Sequence, residues 1–340
     1  MRDPPFWWRK AGLAARLLAP VAAVYGAIAT ARLVRTGQRA GRPVICIGNF
    51  TVGGAGKTPT ALAVARMLVA AGAQPVFLSR GYGGSDAGPL QVDPARHRAG
   101  DVGDEPLLLA RTAPAIVARD RVAGAAAAIR AGADVIVMDD GFQNPALEKD
   151  LSILVVDGGR GVGNGKVFPA GPLRAPLDVQ LARTQALVVI GAASSRATDV
   201  VEAARTRKIP VFAAELVPDP GSIAALRRDR VLAFAGIGDP EKFFRTLSAA
   251  GIAVAACRSF PDHHRYTGVE ALRLRSEAEG AGLALVTTEK DLARLAGDQA
   301  LADLAAHTRA LPVSLVFQDE EKLGSLLRQR LAAAQARPSE

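Results

Sequence analysis

The hydrophobic positions of this chain fall into short, nearly unbroken apolar runs separated by segments with helical spacing. Short runs rich in valine, isoleucine and leucine are typical of strands buried on both faces of a parallel sheet. A polar or glycine-rich turn follows most of these runs, and a helical segment comes next. This order predicts an α/β fold with a doubly wound, mostly parallel sheet. The predicted strands of the first part are 43–47, 75–78, 115–118, 134–140, 151–157, 187–190 and 211–216.

The pattern is interrupted at 217–229, a polar segment with two prolines that predicts a linker. Beyond it the alternation restarts with strands at 231–235, 252–256 and 284–287 and with helical segments between them. We therefore expect a first domain over 43–216 and a second, smaller α/β/α domain over 230–330, followed by a loose tail.

Candidate chemistry is first seen at 43–60, PVICIGNFTVGGAGKTPT. A strand, a glycine-rich loop and Gly-Lys-Thr opening a helix form the layout of a P-loop, so the fold is expected to be P-loop NTPase-like. Glycines let backbone N–H groups surround phosphate oxygens, and the helix N-terminus adds its positive dipole end. Lys57 is expected to reach the terminal phosphates of ATP, and the Thr58 hydroxyl to bind Mg²⁺. The predicted nucleotide-binding residues are Thr51, Val52, Gly53, Gly54, Ala55, Gly56, Lys57 and Thr58.

The full P-loop pattern has glycine where this chain has Thr51. A bare Gly-x-Gly-Lys-Thr also arises by chance in a chain with 34 glycines. An ordinary strand–helix turn is therefore the alternative, although the strand before the loop and the helix after it favour nucleotide binding.

A second signal is the apolar run 134–140, which ends in the paired carboxylates of Asp139 and Asp140. In P-loop enzymes an acid at the end of a strand beside the phosphate loop holds Mg²⁺, directly or through water. A single acid after a strand is common, whereas a pair placed after a P-loop is rarer. We expect Asp139 and Asp140 to serve the metal.

Composition limits the class of protein. The chain has 340 residues, of which 49% are hydrophobic, and only two cysteines, Cys46 and Cys257. It therefore has neither a disulfide framework nor a zinc cluster, which fits a reducing cytoplasm. The net charge is +9, but residues 1–42 hold eight basic residues and one acid, which gives +7 there. We therefore expect no nucleic-acid-binding surface across the protein.

The N-terminal segment 1–42 combines aromatic, apolar and basic residues. Phe6, Trp7 and Trp8 precede Arg9 and Lys10, and 17–31 is uncharged and mostly apolar. An uncharged stretch of this length, with a proline inside it, is too short for a spanning helix, which needs about 20 residues. The composition favours an amphipathic helix lying on an anionic membrane surface. The alternative is a helix that packs on the protein's own core.

Seven blocks extend these signals: GNFTVGGAGKTP, SRGYGG, GDEP, MDDGFQ, FPAGPLR, FPDHH and TTEKD. In this order and spacing they resemble the tetraacyldisaccharide 4'-kinase family of lipid A biosynthesis, in which threonine at the first P-loop position is normal. The resemblance implies transfer of phosphate from ATP, with Mg²⁺, to the 4'-hydroxyl of an acylated glucosamine disaccharide 1-phosphate. It also implies a cleft between two α/β/α domains and a peripheral enzyme on the cytoplasmic face of the bacterial inner membrane. We expect a monomer.

The family's catalytic aspartate–histidine pair falls on Asp104 and His263. The implied role is that a carboxylate positioned by an imidazole accepts the proton of the sugar hydroxyl. A helix-capping Asp104 and a loop His263 bonded to its neighbours remain the alternatives. The family commonly has an acid where this chain has Ala175, which leaves the surroundings of that position less defined. Residues on the expected active face that could hold ATP or the substrate phosphate are Arg80, Arg119, Arg121, Gln143 and Arg174.

Two other classes of nucleotide-binding protein fit less well. Septum-positioning ATPases carry a signature lysine immediately before the glycine pair, where this chain has Val52. Regulatory GTPases carry Asn-Lys-x-Asp to read the base, and the Thr-Glu-Lys-Asp at 288–291 does not match it. The sequence therefore favours a kinase.

Overall fold

The computed structural model of the chain describes residues 3–337. A 3₁₀ turn at Pro5–Trp8 precedes the first helix. The helices are α1 Leu13–Leu17, α2 Ala19–Leu33, α3 Lys57–Ala70, α4 Ala99–Val102, α5 Asp104–Leu109, α6 Arg121–Arg130, α7 Leu177–Ala182, α8 Ser195–Thr206, α9 Pro220–Leu226, α10 Pro240–Ala249, α11 Gly268–Ala281, α12 Glu289–Leu295, α13 Ala302–His307 and α14 Glu320–Gln335. The strands are β1 Val44–Asn49, β2 Pro75–Ser79, β3 Leu90–Gln91, β4 Ala115–Val117, β5 Val135–Asp139, β6 Leu151–Asp157, β7 Ala186–Ile190, β8 Val211–Pro218, β9 Arg230–Ala235, β10 Ala253–Ser259, β11 Ala284–Thr288, β12 Thr308–Leu311 and β13 Val313–Phe317.

The larger unit is built on a nine-stranded sheet in the order β13-β8-β7-β6-β1-β5-β2-β4-β3. Its inner strands are parallel, and only the edge strands β3 and β13 run antiparallel to their neighbours. Ile45 and Ile47 of β1 enter the core on one face, whereas Val44 and Cys46 enter the core on the other. Burial on both faces explains why these strands are continuous apolar runs. The doubly wound sheet predicted from the sequence is confirmed.

Strand order places the candidate chemistry at one edge of this sheet. β1 lies between β5 and β6, and Ile47 of β1 is in register with Asp139 at the end of β5. After β1 the chain builds β2 to β5 on one side of β1. It then crosses over to build β6, β7 and β8 on the other side. Ligands of doubly wound sheets bind at such a switch point, beyond the carboxyl ends of the strands.

The smaller unit has a four-stranded parallel sheet in the order β10-β9-β11-β12. One face is covered by a core that includes Phe243 and Phe244, and the other by a core that includes Phe234 and Tyr266. This confirms the second α/β/α layer system expected after the linker.

The predicted boundaries of that unit need correction. Strand β13 and helix α14 return to the larger unit, where Leu315, Phe317, Leu323 and Leu327 join its core. The predicted linker 217–229 also contains the end of β8 and helix α9. Local patterns cannot show which sheet a strand joins, because the pairing of β13 with β8 spans almost 100 residues of chain.

The N-terminal segment packs on the larger unit through its aromatic residues. Trp7 is buried, its Nε1 donates to the Pro169 carbonyl oxygen at 3.0 Å, and its ring meets Phe168 edge-on. The expectation that Trp7 faces a membrane is therefore wrong. Arg160 lies over the ring of half-buried Trp8 and pairs with Asp3 at 3.8 Å.

Helices α1 and α2 place small residues inward and large apolar residues outward. Ala15, Ala22 and Gly26 are buried, and a Cβ on Gly26 would lie 3.7 Å from Val167. The outward stripe comprises Leu13, Leu17, Val21, Val24 and Ile28. In the part of the chain that the structure describes, no helix has both the length and the apolar character needed to cross a membrane.

Candidate active site

The loop between β1 and α3 has the backbone shape that phosphate binding requires. Gly56 caps α3 with a φ of +93°, and a Cβ there would lie 2.4 Å from Ile190 Cδ1, so glycine is required at this position. Asn49 Nδ2 donates to the Gly53 carbonyl oxygen at 3.1 Å. The Val52 amide donates to the Pro172 carbonyl oxygen at 2.8 Å. The loop is thus fixed from both sides, with the N-terminus of α3 behind it.

Lys57 and Thr58 take the positions expected of a P-loop. Lys57 is buried, and its Nζ lies 3.3 Å from Asn49 Oδ1 and 3.7 Å from Asp140 Oδ2. The Thr58 Oγ1 lies 3.3 Å from both Asp139 Oδ2 and Glu105 Oε1, and it can donate to only one of them at a time. The strand-terminal acids therefore lie directly beside the phosphate loop, as predicted.

The two neighbouring carboxylates Asp139 and Asp140 have opposite electrostatic environments. Burial, followed by the nearby charge of Glu105, raises the pKa of Asp139 to about 7. Burial also disfavours ionisation of Asp140, but Lys57 and Arg174 outweigh it and lower its pKa to about 2. Asp140 adopts a φ of +53°, an uncommon conformation outside glycine that is frequent at functional sites.

The donor atoms near Thr58 suit Mg²⁺. Asp139 Oδ1 is buried without a hydrogen-bond partner, which leaves it available to a cation. Within residues 3–337, no group of three or more histidine, cysteine, aspartate or glutamate side chains is arranged to hold a metal ion. The usual Mg²⁺ site of phosphoryl-transfer enzymes needs only a few protein oxygens, which act together with substrate phosphates and water. Asp140 Oδ1 also has no hydrogen-bond partner, but Lys57 and Arg174 already neutralise the Asp140 carboxylate.

Asp104 and His263 meet across the cleft, although they come from different units. Asp104 begins α5 in the larger unit and is buried, and His263 follows β10 in the smaller one. His263 Nδ1 lies 3.3 Å from Asp104 Oδ1. His263 adopts a φ of +54°, and its ring packs edge-on against Tyr82 at 4.9 Å. The structure therefore brings together the pair that the resemblance implied.

The charges around this pair keep Asp104 ionised. Burial alone would raise the pKa of Asp104, but the hydrogen bond from His263 and the positive charges of Arg294 and Lys290 bring it well below its usual range. Burial likewise opposes protonation of His263, and Asp104 outweighs it, so the pKa of His263 is raised. A carboxylate that stays charged can accept a hydrogen bond from a substrate hydroxyl.

The remaining candidates are of two kinds: side chains that hold the P-loop in place, and arginines that keep donors available for a ligand. Arg174 donates to the Thr51 carbonyl oxygen at 2.9 Å and pairs with Asp140, while Gln143 Nε2 donates to the Asn49 carbonyl oxygen at 3.0 Å. Both side chains thus hold the P-loop and its acids in place. Arg80 is exposed and has no protein partner among the described residues, so it can reach a ligand.

Two further arginines follow β4 and have different surroundings. Arg119 is exposed, and its Nη2 donates to the Ser85 carbonyl oxygen at 3.2 Å. Arg121 is buried, and its Nε has no hydrogen-bond partner, although Nη1 donates to the Ala118 carbonyl oxygen at 2.8 Å. Arg121 therefore retains an unused donor near the two aspartates.

Comparison with known proteins identifies the family of this chain. A profile of the Tetraacyldisaccharide-1-P 4'-kinase family matches residues 14–332. The chain belongs to this family. A tetraacyldisaccharide 4'-kinase of Nitrobacter winogradskyi is 57% identical over 332 residues, 98% of each chain. One from Rhodopseudomonas palustris is 54% identical over 336 residues, which cover 99% of this chain and 98% of that protein.

A solved structure agrees with the sequence relatives. LpxK from Aquifex aeolicus, crystallised in complex with ATP, superposes with a TM-score of 0.70 at 27% identity. The alignment covers 93% of this chain and 99% of that one. The fold and the family predicted from the seven blocks are both confirmed.

Several residues in the cleft of this 4'-kinase family member were not predicted from the sequence. Glu105, for which the sequence yielded no functional prediction, pairs with Lys290 across the cleft at 2.6 Å. Arg294 contacts Asp104 from the same helix, α12. The signal was present, because Arg294 lies one helical turn after Lys290 and the two side chains therefore project from the same face.

Ala175, where the family commonly has an acid, is fully buried. Its carbonyl oxygen accepts a hydrogen bond from Gln180 Nε2 at 2.7 Å. Gln180 Nε2 also lies 3.2 Å from the Phe50 carbonyl oxygen, just before the P-loop. In this chain a neutral glutamine therefore supplies polar contacts at this point of the site.

Proposed function

We propose that this chain transfers the terminal phosphoryl group of ATP to the 4'-hydroxyl of a tetraacylated glucosamine disaccharide 1-phosphate, a step of lipid A synthesis. One observation carries the assignment of the site: a P-loop and a pair formed by a buried carboxylate and a half-buried imidazole face the same cleft. The carboxylate comes from one unit and the imidazole from the other, and both belong to a single chain. A monomer therefore holds the whole site.

In this mechanism the residues of the chain position and polarise the reactants. Lys57 and the backbone amides of 51–58 hold the phosphates of ATP, while Asp104 accepts the proton of the attacking hydroxyl and His263 orients Asp104. Thr58 and Asp139 would hold Mg²⁺, and Asp140, next to Asp139 in the chain, would assist them. When bound, Mg²⁺ neutralises the charge that develops on the transferring phosphoryl group. Exposed Arg80 and Arg119 are our candidates for binding substrate phosphate, and buried Arg121 is a candidate through its unused Nε donor.

The outer surface of α1 and α2 supports a peripheral position on a membrane. Large apolar side chains rarely line the exposed side of a helix whose inner side is alanine and glycine, and such a surface marks an interaction site. Exposed basic residues flank it: Arg9, Lys10, Arg16, Arg32 and Arg35. Apolar and basic residues together suit an anionic bilayer, so we place the enzyme on the cytoplasmic face of the inner membrane.

An apolar groove beside α2 fits the acyl chains of such a substrate. It has a volume of about 630 Å³ and is lined by Ala22, Gly26, Val167 and Pro176, with Arg16 and Lys166 also in its wall. Small side chains leave room for an alkyl chain, and two cations suit a phosphorylated headgroup.

The test measures ATP consumption by the purified protein with and without an acylated disaccharide 1-phosphate in mixed micelles. We expect turnover only with the lipid, and phosphate appearing on the 4'-hydroxyl. Lys57→Ala should lower turnover by at least about 100-fold, because it removes a charge placed on the transferring phosphates. ATP hydrolysis that is indifferent to the lipid would instead favour an ATPase switch.

A further inference from the structure

Arg294 is buried in the cleft and contacts the proposed base directly. It lies on α12 of the smaller unit and is 7% exposed, and its partner Asp104 is 4% exposed. Nε donates to Asp104 Oδ2 at 3.0 Å, and Nη2 donates to the same oxygen. Both donors on that edge of the guanidinium therefore bind one carboxylate oxygen.

The other edge of the guanidinium is anchored within the smaller unit. Nη1 donates to Asp291 Oδ1 at 2.7 Å and to the Gly236 carbonyl oxygen at 2.6 Å. Asp291 is fully buried and also accepts hydrogen bonds from the Gly236 amide, the Tyr266 hydroxyl and the Thr288 hydroxyl. These contacts fix the plane of Arg294 independently of Asp104.

This arrangement makes the two oxygens of Asp104 unequal. Oδ2 accepts two N–H groups from Arg294, whereas among the residues that the structure describes Oδ1 has one polar partner, His263 Nδ1 at 3.3 Å. Each carboxylate oxygen has two lone-pair directions, so Oδ1 alone keeps one open. We propose that Arg294 is a positioning residue that holds Asp104 Oδ2, so that Oδ1 receives the proton of the substrate hydroxyl. This inference rests on the proposed role of Asp104 as the base.

The contact also makes the orientation of the base depend on the smaller unit. Asp104 belongs to the larger unit, but the orientation of its carboxylate is set by Arg294 and His263 of the smaller unit. A guanidinium lowers the proton affinity of a carboxylate, which would weaken a base that removes the proton early. In a loose phosphoryl-transfer transition state there is little bond formation to the nucleophile, and positioning then outweighs base strength.

A purely structural role as a tether between units explains less. Lys242 pairs with Asp157 at 2.7 Å, and Arg160 pairs with Asp239 at 2.9 Å. Arg265 donates to the Gly83 carbonyl oxygen at 2.7 Å. Since these three contacts and the pair of Lys290 with Glu105 already join the units, the two donors on Asp104 Oδ2 are not needed to hold them together.

The experiment compares Arg294→Met and Arg294→Lys with Arg265→Met as the matched control. Arg265 also bridges the units, but it does not touch Asp104. We expect R294M to lower kcat by about 100-fold through loss of orientation, with the KM for ATP unchanged. R294K should recover about tenfold of that loss, because it keeps the charge but not the planar fork. R265M should stay within about threefold of the wild-type kcat.

A double variant separates this inference from the proposed base. Because both residues would act through one carboxylate, Asp104→Asn/Arg294→Met should be no slower than Asp104→Asn alone. An inactive D104N together with an R294M of wild-type kcat would overturn the inference and leave the base in place. A fully active D104N would overturn the base and the inference with it. Should R294M fail to fold, R294K decides the matter, and a wild-type kcat for R294K would refute the need for the fork.

Discussion

The outward stripe on α1 and α2 permits a quantitative test of membrane binding. The perturbation replaces Leu13, Leu17, Val21 and Val24 with serine, positions that are 73%, 72%, 57% and 62% exposed. None of the four contributes to the core of the protein, so its stability should not change. Trp7 is left intact because it is buried, and its loss would destabilise the fold instead.

The magnitude follows from the exposed fractions. Fully burying a leucine or valine side chain contributes about 1.5–3 kcal/mol. The exposed two-thirds of the four side chains would then contribute about 5 kcal/mol in the acyl region, and about half of that at the level of the headgroups. Since about 1.4 kcal/mol is tenfold in a partition coefficient, vesicle binding should weaken by at least about 50-fold.

The assay is co-sedimentation with vesicles that contain anionic lipid, at low and high salt. Wild-type protein should be released only in part by salt, whereas the variant, which keeps its basic residues but only Ile28 of the outward stripe, should be released almost fully. Its KM for the lipid substrate should rise while its KM for ATP stays the same. The control replaces Val269 and Leu272 with serine, because these apolar residues are 72% and 68% exposed on the smaller unit. Unchanged sedimentation of the four-residue variant would refute the docking surface.

Three further outcomes are expected at the site. Asp139→Asn should lower kcat by at least about 100-fold and raise the Mg²⁺ requirement. The melting temperature of this variant at pH 8 should not fall, because a buried charge has been removed. Unchanged Mg²⁺ dependence would contradict this role. Gly56→Ala should cost about 1–2 kcal/mol in urea unfolding and weaken ATP binding, because alanine at a φ of +93° is strained; wild-type ATP affinity would argue against a shaped phosphate loop. The raised pKa of His263 adds stability that is full below its unfolded value of about 6.5 and is lost as pH rises through the folded value. Asp139, whose pKa is raised to about 7, adds its own loss of stability as pH rises to that value. His263→Gln should therefore remove only the part of the decline that is due to His263 in chemical denaturation, and a variant that declines as steeply as the wild type would contradict this assignment.

What could be predicted from the sequence was whatever a short window of residues determines. Burial on both faces makes β1, β5 and β6 continuous apolar runs, and backbone crowding requires Gly56, so the sheet and the P-loop were visible locally. The approach of Asp104 to His263 came from resemblance, because no local rule joins residues on two different sheets.

The rest depends on contacts between distant segments. Trp7 lies in a segment with the composition of a membrane anchor. It nevertheless packs against Phe168 and donates to Pro169, and its neighbours in sequence do not reveal these contacts. The partner of Arg294 was equally hidden, because helical spacing places Arg294 on the same face as Lys290 but does not show what that face contacts. The role of Arg294 depends on Asp104, 190 residues away in the chain.

The packing of the N-terminal segment bears on how this protein can be handled. Arg160 joins Asp3 to Asp239 of the smaller unit, and a Cβ on Gly53 would lie 3.5 Å from the Asp3 carboxylate. Removing the first 33 residues to obtain a detergent-free preparation would strip Trp7 and Leu33 from the core and Asp3 from the rim of the phosphate loop. A purification tag fused ahead of Asp3 would emerge beside the nucleotide. After helix α14, Arg337 contacts Glu148 and Asp150, which precede β6 at the edge of the sheet opposite that loop, so an affinity handle belongs at the carboxyl end.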